Sequence, residues 1–138
     1  MKKRTIKKPK QRTNHKHRKK VKHPERIFQQ ELVVKLEDII KGDVEWTHFP
    51  AGGGGLVRGV FLKKMGLKRG WPDLIFLRDG TLYCLELKAE NGKLSEQQQY
   101  RQNRLKGCGA LVDTAWDIAG ALSTLKEWGL IKERKASA

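Results

Sequence analysis

The stretch Trp71-Pro72-Asp73-Leu74-Ile75-Phe76-Leu77-Arg78-Asp79-Gly80-Thr81-Leu82-Tyr83-Cys84-Leu85-Glu86-Leu87-Lys88 reads as two strands joined by a two-residue turn. Asp-Gly is a favoured pair for a type I′ turn, whose central residues both need positive φ. With Asp79 and Gly80 as the loop, Arg78 faces Thr81, Leu77 faces Leu82, and the same register carries Asp73 opposite Glu86. Directly opposed side chains have Cβ atoms ~5 Å apart, and like charges there repel. Lys88, two residues past Glu86, points to the same face because strand side chains alternate. The expectation is a carboxylate pair with an ammonium beside it, set among apolar neighbours. Acids in such surroundings are rare unless paired or metal-bound.

That combination suits a divalent-metal phosphodiesterase. Two hard oxygen ligands at Asp73 and Glu86 fit Mg²⁺ or Mn²⁺ with open positions for water and a phosphate oxygen. The metal would acidify a water and neutralise charge on the phosphoryl group. Lys88 would orient the attacking water or stabilise the developing negative charge. The chain has neither a Walker-type loop nor a nucleophile elbow, so hydrolysis through metal-activated water is the economical reading. The structural alternative is a cross-strand salt bridge of Lys88 to one acid, which leaves the other acid unpaired.

A chain of 138 residues supports one domain with a modest core. Its formal charge of +15 is unevenly spread: the first 24 residues hold twelve Lys and Arg and no acid. The segment from Met1 to His23 lacks the apolar residues to bury anything and is expected to be a disordered basic tail, with residues 24–138 forming the globular domain. A polyanion is its expected partner, nucleic acid foremost, since each neutralised phosphate releases counterions. A nuclear-import patch, an anionic-membrane contact and a solubilising arm are the competing readings. No run approaches the ~18 apolar residues of a spanning helix, and no signal-peptide apolar region follows the basic start. A soluble, intracellular protein with no membrane partner is expected. Two cysteines, Cys84 and Cys108, make neither a disulfide framework nor a zinc site. His15 and His17 have no further ligands near them and are read as part of the tail.

Outside the hairpin, Pro24 is suited to the first turn of a helix running to about Lys41 and stopped at Gly42. Phe28, Leu32, Val33, Leu36, Ile39 and Ile40 share one face of it. Glu25 and Gln29 fall on that same face, which makes them candidates for a site beneath the helix; the alternative is a first turn that projects past the core. Glu31 points to the flank. Val44 to Phe49 reads as a short strand ended by Pro50. The run Gly52-Gly53-Gly54-Gly55 is either a loop whose backbone approaches a phosphate or a flexible connector. Leu56 to Met65 reads as a helix capped by Gly66. Arg58, Lys63, Lys64, Lys68 and Arg69 cluster upstream of Asp73, either as a nucleic-acid backbone contact or as a solvated face.

Ser95-Glu96-Gln97-Gln98 fits a capping box, with Ser95 as N-cap and Gln98 at N3. Leu94, Gln98, Arg101 and Leu105 share a face, so Gln98 and Arg101 are expected to look toward the sheet. Gly107 ends this helix, Ala110-Leu111-Val112 is a third core strand, and Thr114-Ala115-Trp116-Asp117 is expected to start a last helix with a capping-box-like pattern. Ile118, Leu122 and Leu125 form its inner stripe. Trp116 and Trp128 are read as packing residues rather than base-stacking platforms.

The order helix-β-β-β-α-β-α, with Pro-Asp on one strand and Glu-x-Lys on the next, resembles the PD-(D/E)XK nuclease superfamily. The resemblance is closest to its VRR-NUC branch, the virus-type replication-repair nuclease module. It rests on Pro24-Glu25 with Gln29, His48-Phe49-Pro50-Ala51-Gly52-Gly53, Gly70-Trp71-Pro72-Asp73-Leu74, Glu86-Leu87-Lys88 and Leu94-Ser95-Glu96-Gln97-Gln98. These segments and the elements around them span residues 24 to about 128. The resemblance implies an α/β fold, a restriction-endonuclease-like mixed β-sheet flanked by helices, and a Mg²⁺- or Mn²⁺-dependent DNA endonuclease. By that likeness Asp73 and Glu86 are metal ligands, Lys88 is the catalytic lysine, Glu25 is the acid of the first helix, and Gln98 belongs to the Ser-x-x-Gln motif.

Stand-alone members of the branch look like homodimeric, structure-specific nucleases acting on branched DNA such as four-way junctions, in bacteria or phage-infected cells. A homodimer suits a two-fold symmetric substrate. Two departures stand out. The family's Pro-Asn-Gly-Gly is Pro50-Ala51-Gly52-Gly53 here, which removes a side-chain amide near the glycine loop, and the basic tail is an addition. Two other classes compete with the structure-specific nuclease. One is a non-catalytic nucleic-acid-binding protein on a nuclease scaffold, which has no chemical need for Asp73, Glu86 and Lys88 together. The other is a restriction-type endonuclease, for whose recognition element the short loops leave little room.

Overall fold

The structure is a computed structural model and describes residues 23–50 and 55–133. The basic tail up to Lys22, His15 and His17 with it, and most of the glycine run lie outside the described residues. The elements in chain order are α1 (Pro24–Ile39), β1 (Glu45–His48), α2 (Gly55–Lys64), β2 (Leu74–Arg78), β3 (Thr81–Leu87), α3 (Glu96–Gly107), β4 (Leu111–Ala115) and α4 (Ile118–Glu127). Among the described residues the strands form one four-stranded mixed sheet in the order β1-β2-β3-β4. The first three are antiparallel, and β3 and β4 are parallel, joined through α3.

The hairpin has the register expected of the Asp-Gly loop, with Arg78 opposite Thr81 and Leu74 opposite Leu85. Asp79 and Gly80 have φ of 48° and 74°, the positive values a type I′ turn demands. The leading strand begins at Leu74 rather than Trp71. Pro72 has no N–H to give a ladder and is buried where the strand pairing stops.

Strand alternation splits the sheet into two faces. Leu74, Phe76, Leu85 and Leu87 pack with Phe28, Leu32 and Leu36 of α1 and Ala121 and Leu125 of α4 in the larger cluster. Cys84 and Val112 form a smaller cluster with Leu105 of α3. Glu86 and Asp73 therefore lie on the α3 face. Cys84 is buried at zero exposure, and burial pushes its thiol up to about 11, so it is inert as a nucleophile.

Several boundaries differ from the sequence reading. α1 stops at Ile39, because Ile40 turns extended and bridges Ile131. The last helix begins at Ile118: Thr114 and Ala115 continue β4 beside Glu86 and Leu87, and Asp117 is the N-cap, accepting from the Gly120 N–H at 2.6 Å. Tertiary pairing with β3 overrides the local capping signal there. Trp128 packs against Tyr83, with ring centroids 5.4 Å apart. Trp116 is instead exposed, and its indole N–H donates to the Gly92 carbonyl, pinning the turn after β3.

Arg78 ties the hairpin to two other segments. Its Nη1 donates to the Gly129 carbonyl after α4, and its Nε lies 3.6 Å from Asp43 Oδ2. The Asp43 side chain is well exposed, so the ion pair is weak. Arg78→Ala is expected to destabilise the protein by about 1–2 kcal/mol through the lost hydrogen bond and stem packing. Asp43→Ala is expected to cost under about 0.5 kcal/mol. Urea unfolding of the two variants reads the difference.

Candidate active site

The end of β2 shows how the backbone aims the first acid. The Asp73 carbonyl accepts from the Phe49 N–H at 2.8 Å, which extends the β1 side of the ladder. Its carboxylate Oδ2 accepts from the Leu87 N–H at 2.8 Å on the β3 side. The side chain thus takes the position a strand carbonyl would hold, and the carboxylate is fixed across from Glu86.

Glu86 is 4 % exposed, the most deeply buried acid among the described residues. Its Oε1 accepts from Gln98 Nε2 at 3.1 Å, while no donor of the protein reaches Oε2, which is fully buried. The two carboxyls lie close enough for each to perturb the other's protonation. Burial, then the charge of Asp73, pushes Glu86 up to about 9. Burial also raises Asp73, opposed by the hydrogen bond from the Leu87 N–H. Two like charges in one desolvated place cannot both ionise without a counter-cation.

Lys88 lies close enough for its charge to draw both acids back down. It is half-buried, and its N–H donates to the Ala115 carbonyl at 2.9 Å. It makes no salt bridge to either acid; among the described residues the one ion pair is that of Arg78 with Asp43. The cross-strand salt bridge open to the sequence is therefore not what the structure forms.

Gln98 holds two roles at once. Its Oε1 accepts from the Ser95 N–H at 2.9 Å and its N–H donates to Ser95 Oγ at 3.1 Å, completing the capping box, while its Nε2 serves Glu86. The helix start and the acid are thereby one rigid unit. Gly70 fits closely over it: φ is 83°, and a Cβ there would stand 2.7 Å from the Gln97 carbonyl carbon. Trp71, next in the chain, stacks on Phe49 with centroids 5.7 Å apart.

Glu25 is exposed in the first turn of α1, which projects past the core, and its Oε1 accepts from the Ala89 N–H at 3.4 Å. Gln29 is half-buried one turn deeper. The sequence reading of both as coreward residues thus holds only in part. Glu25 nonetheless rims the site, and its charge adds to the upward pressure on Asp73 and Glu86.

Glu25, Asp73, Glu86, Gln98, Lys63, Lys68 and Arg69 line one cleft of about 540 Å³. Arg101 lines the adjoining groove, and its Nε donates to the Arg69 carbonyl at 3.1 Å. Arg58 and Lys64 are exposed on α2 and line neither. The sequence reading missed Gln102, whose buried amide donates to Thr114 Oγ1 at 3.0 Å and ties α3 to β4. Its polar side chain gave no periodicity signal.

A divalent ion fits the donor set. The two carboxylates are hard oxygen ligands, and a cation against them would satisfy the orphaned Glu86 Oε2 and remove the repulsion. No third His, Cys, Asp or Glu joins them at ligand spacing among the described residues, which leaves other positions to water or substrate.

The mixed α/β fold is similar to that of solved VRR_NUC domains. A solved structure described as a "VRR_NUC domain protein" matches with a TM-score of 0.64 at 20% identity, covering 76% of this chain and 87% of that one. A second, described as a "VRR_NUC domain", matches with a TM-score of 0.50 at 20% identity, covering 75% and 95%. No family model and no curated protein matches the chain. At this identity the likeness is one of fold.

The raised Glu86 value gives a pH signature. The folded state holds a proton that the unfolded state, with an ordinary value of 4.5, releases. This contribution to stability is complete below about pH 4.5 and is lost as pH rises toward about 9. Thermal melting of metal-free protein is expected to fall across that window, and Glu86→Gln to flatten the fall. A divalent cation held by the two acids would compete with the same proton, so any rise in Tm on adding MnCl₂ would grow with pH. Gly70→Ala is expected to lower Tm, since a backbone rather than a flexible side chain meets the new methyl group.

Proposed function

We propose that this protein is a divalent-metal-dependent DNA endonuclease that hydrolyses phosphodiester bonds, acts on branched DNA such as four-way junctions, and works as a homodimer. The observation that carries the reading is the buried, donor-less Glu86 Oε2 beside Asp73 at the base of a cation-rimmed cleft. Mg²⁺ or Mn²⁺ held by Asp73 and Glu86 would supply Lewis-acid stabilisation of a phosphoryl group and a water of lowered pKa.

The chain's own residues supply the rest. Asp73 is pre-aimed by the Leu87 N–H and Glu86 by the Gln98 amide, so neither carboxylate must reorganise. The Lys88 ammonium, beside both acids but bonded to neither, is free to orient the attacking water or meet charge developing on the phosphate. Glu25 at the rim offers a further carboxylate to orient water. Lys63, Lys68, Arg69 and Arg101 neutralise backbone phosphates along the cleft and its groove.

DNA, rather than any membrane, is the partner this charge pattern favours, and no helix among the described residues is long and apolar enough to cross a membrane. A four-way junction has the two-fold symmetry of a homodimer. The dimer reading draws support from α2, which buries no side chain and exposes Leu56, Val57 and Phe61, with Met65 exposed just after it. An apolar patch of that kind commonly marks an interaction surface.

The test is cleavage of a labelled four-way junction beside linear duplex and single-stranded DNA, in Mg²⁺, Mn²⁺ or EDTA. Asp73→Ala and Lys88→Ala are each expected to lower kcat by about 100-fold or more, with DNA binding retained. Gln98→Glu keeps the capping acceptor but faces Glu86 with a like charge, so it is expected to lose activity while melting closer to wild type than Gln98→Ala does. Tight binding without cleavage under any metal would identify a non-catalytic binding protein. Phe61→Glu is expected to shift the protein from dimer to monomer in light scattering; a monomeric wild type would remove the dimer.

A further inference from the structure

Tyr100 is 59 % exposed on α3, two residues beyond Gln98, and belongs to neither hydrophobic cluster. It lines a groove of about 360 Å³ together with Lys63, Lys68, Arg69 and Arg101. That groove shares Lys63, Lys68 and Arg69 with the carboxylate cleft, so the two form one continuous surface. The Arg101 guanidinium lies 5.6 Å from the Tyr100 ring centroid, while its Nε is held by the Arg69 carbonyl. A fixed cation thus backs a ring whose helix is anchored at its start by a full capping box.

We propose that Tyr100 is a stacking platform for an unpaired nucleobase, and that the groove takes a single-stranded nucleotide adjoining the cleft. This deepens the nucleic-acid reading above and rests on it. The cations of the groove recognise phosphate in any nucleic acid, because backbone charge carries no sequence or pairing information. An aromatic face is different. In a duplex each base is already stacked on its neighbours, so a ring gains a partner only where a base is splayed out or single-stranded. The preferred DNA therefore has an unpaired segment next to the bond to be cut, as in a flap, a splayed arm or an open junction.

The experiment measures binding of the full chain in EDTA, by fluorescence anisotropy, to three labelled DNAs: a paired duplex, the same duplex with a splayed single-stranded arm, and that arm with successive abasic positions. The variants are Tyr100→Phe, Tyr100→Ala and Lys68→Ala. Tyr100→Ala is expected to weaken binding of the splayed DNA by about 10-fold and of the paired duplex by less than about twofold, while Tyr100→Phe matches wild type. One abasic position is expected to reproduce that loss in wild type and to have no effect in Tyr100→Ala. Lys68→Ala is expected to weaken all three alike and to reduce the salt dependence. Equal losses on paired and splayed DNA, or none, in a Tyr100→Ala protein that melts like wild type would overturn the stacking role alone. Failure of the wild type to bind any of the DNAs would overturn the nucleic-acid reading together with it.

Discussion

Two carboxyl groups held together away from water are the constraint on which the rest of the molecule depends. Asp73 and Glu86 lie near each other on the α3 face of the sheet, where ionising both would leave two like charges in a poorly solvated place. The fold does not relieve this with an ion pair. It donates the Leu87 N–H to one acid and the Gln98 amide to the other, sets Lys88 nearby, and leaves one buried oxygen of Glu86 without a donor. A proton on one of the two acids relieves that repulsion. Unfavourable electrostatics of this kind persist only where the surroundings over-determine the geometry, and here they do.

The over-determination comes from both faces of the sheet. On one side Leu74, Phe76, Leu85 and Leu87 are locked into the core with α1 and α4, so β2 and β3 cannot slide in register. A slip of one residue would carry the acids into that core and the leucines out of it. On the other side, α3 is fixed by its capping box, by Gln102 to Thr114, and by the close approach of Gly70 to Gln97. Pro72 then ends the ladder so that a side chain, rather than a carbonyl, meets the Leu87 N–H.

The cations are distributed by the same architecture. Lys63, Lys68 and Arg69 come from the end of α2 and the connection after it, Arg101 from α3, and the Arg101 bond to the Arg69 carbonyl joins the two segments into one wall. Positive charge therefore surrounds the acids at a distance instead of neutralising them by contact. That is the arrangement a polyanionic substrate and a small cation can share.

Much of this was legible in the chain itself, because the signals are local. The Asp-Gly turn set the hairpin register, and strand periodicity put Asp73, Glu86 and Lys88 on one face. The Ser95-x-x-Gln98 spacing set the start of α3. The start of α4 was misread because Thr114 and Ala115 look like a helix entry until β3 is present to pair with them. The sequence left the depth of Glu25 open because helical periodicity reports which face a residue shares, not how far the helix extends beyond its core. Tertiary structure alone decided that Lys88 makes no salt bridge, that Gln98 reaches Glu86 while capping its own helix, and that Tyr100 lines the groove adjoining the cleft. Hydrogen bonds and charges between segments distant in sequence depend on distances of a few ångströms, and those are set only when the sheet and helices pack.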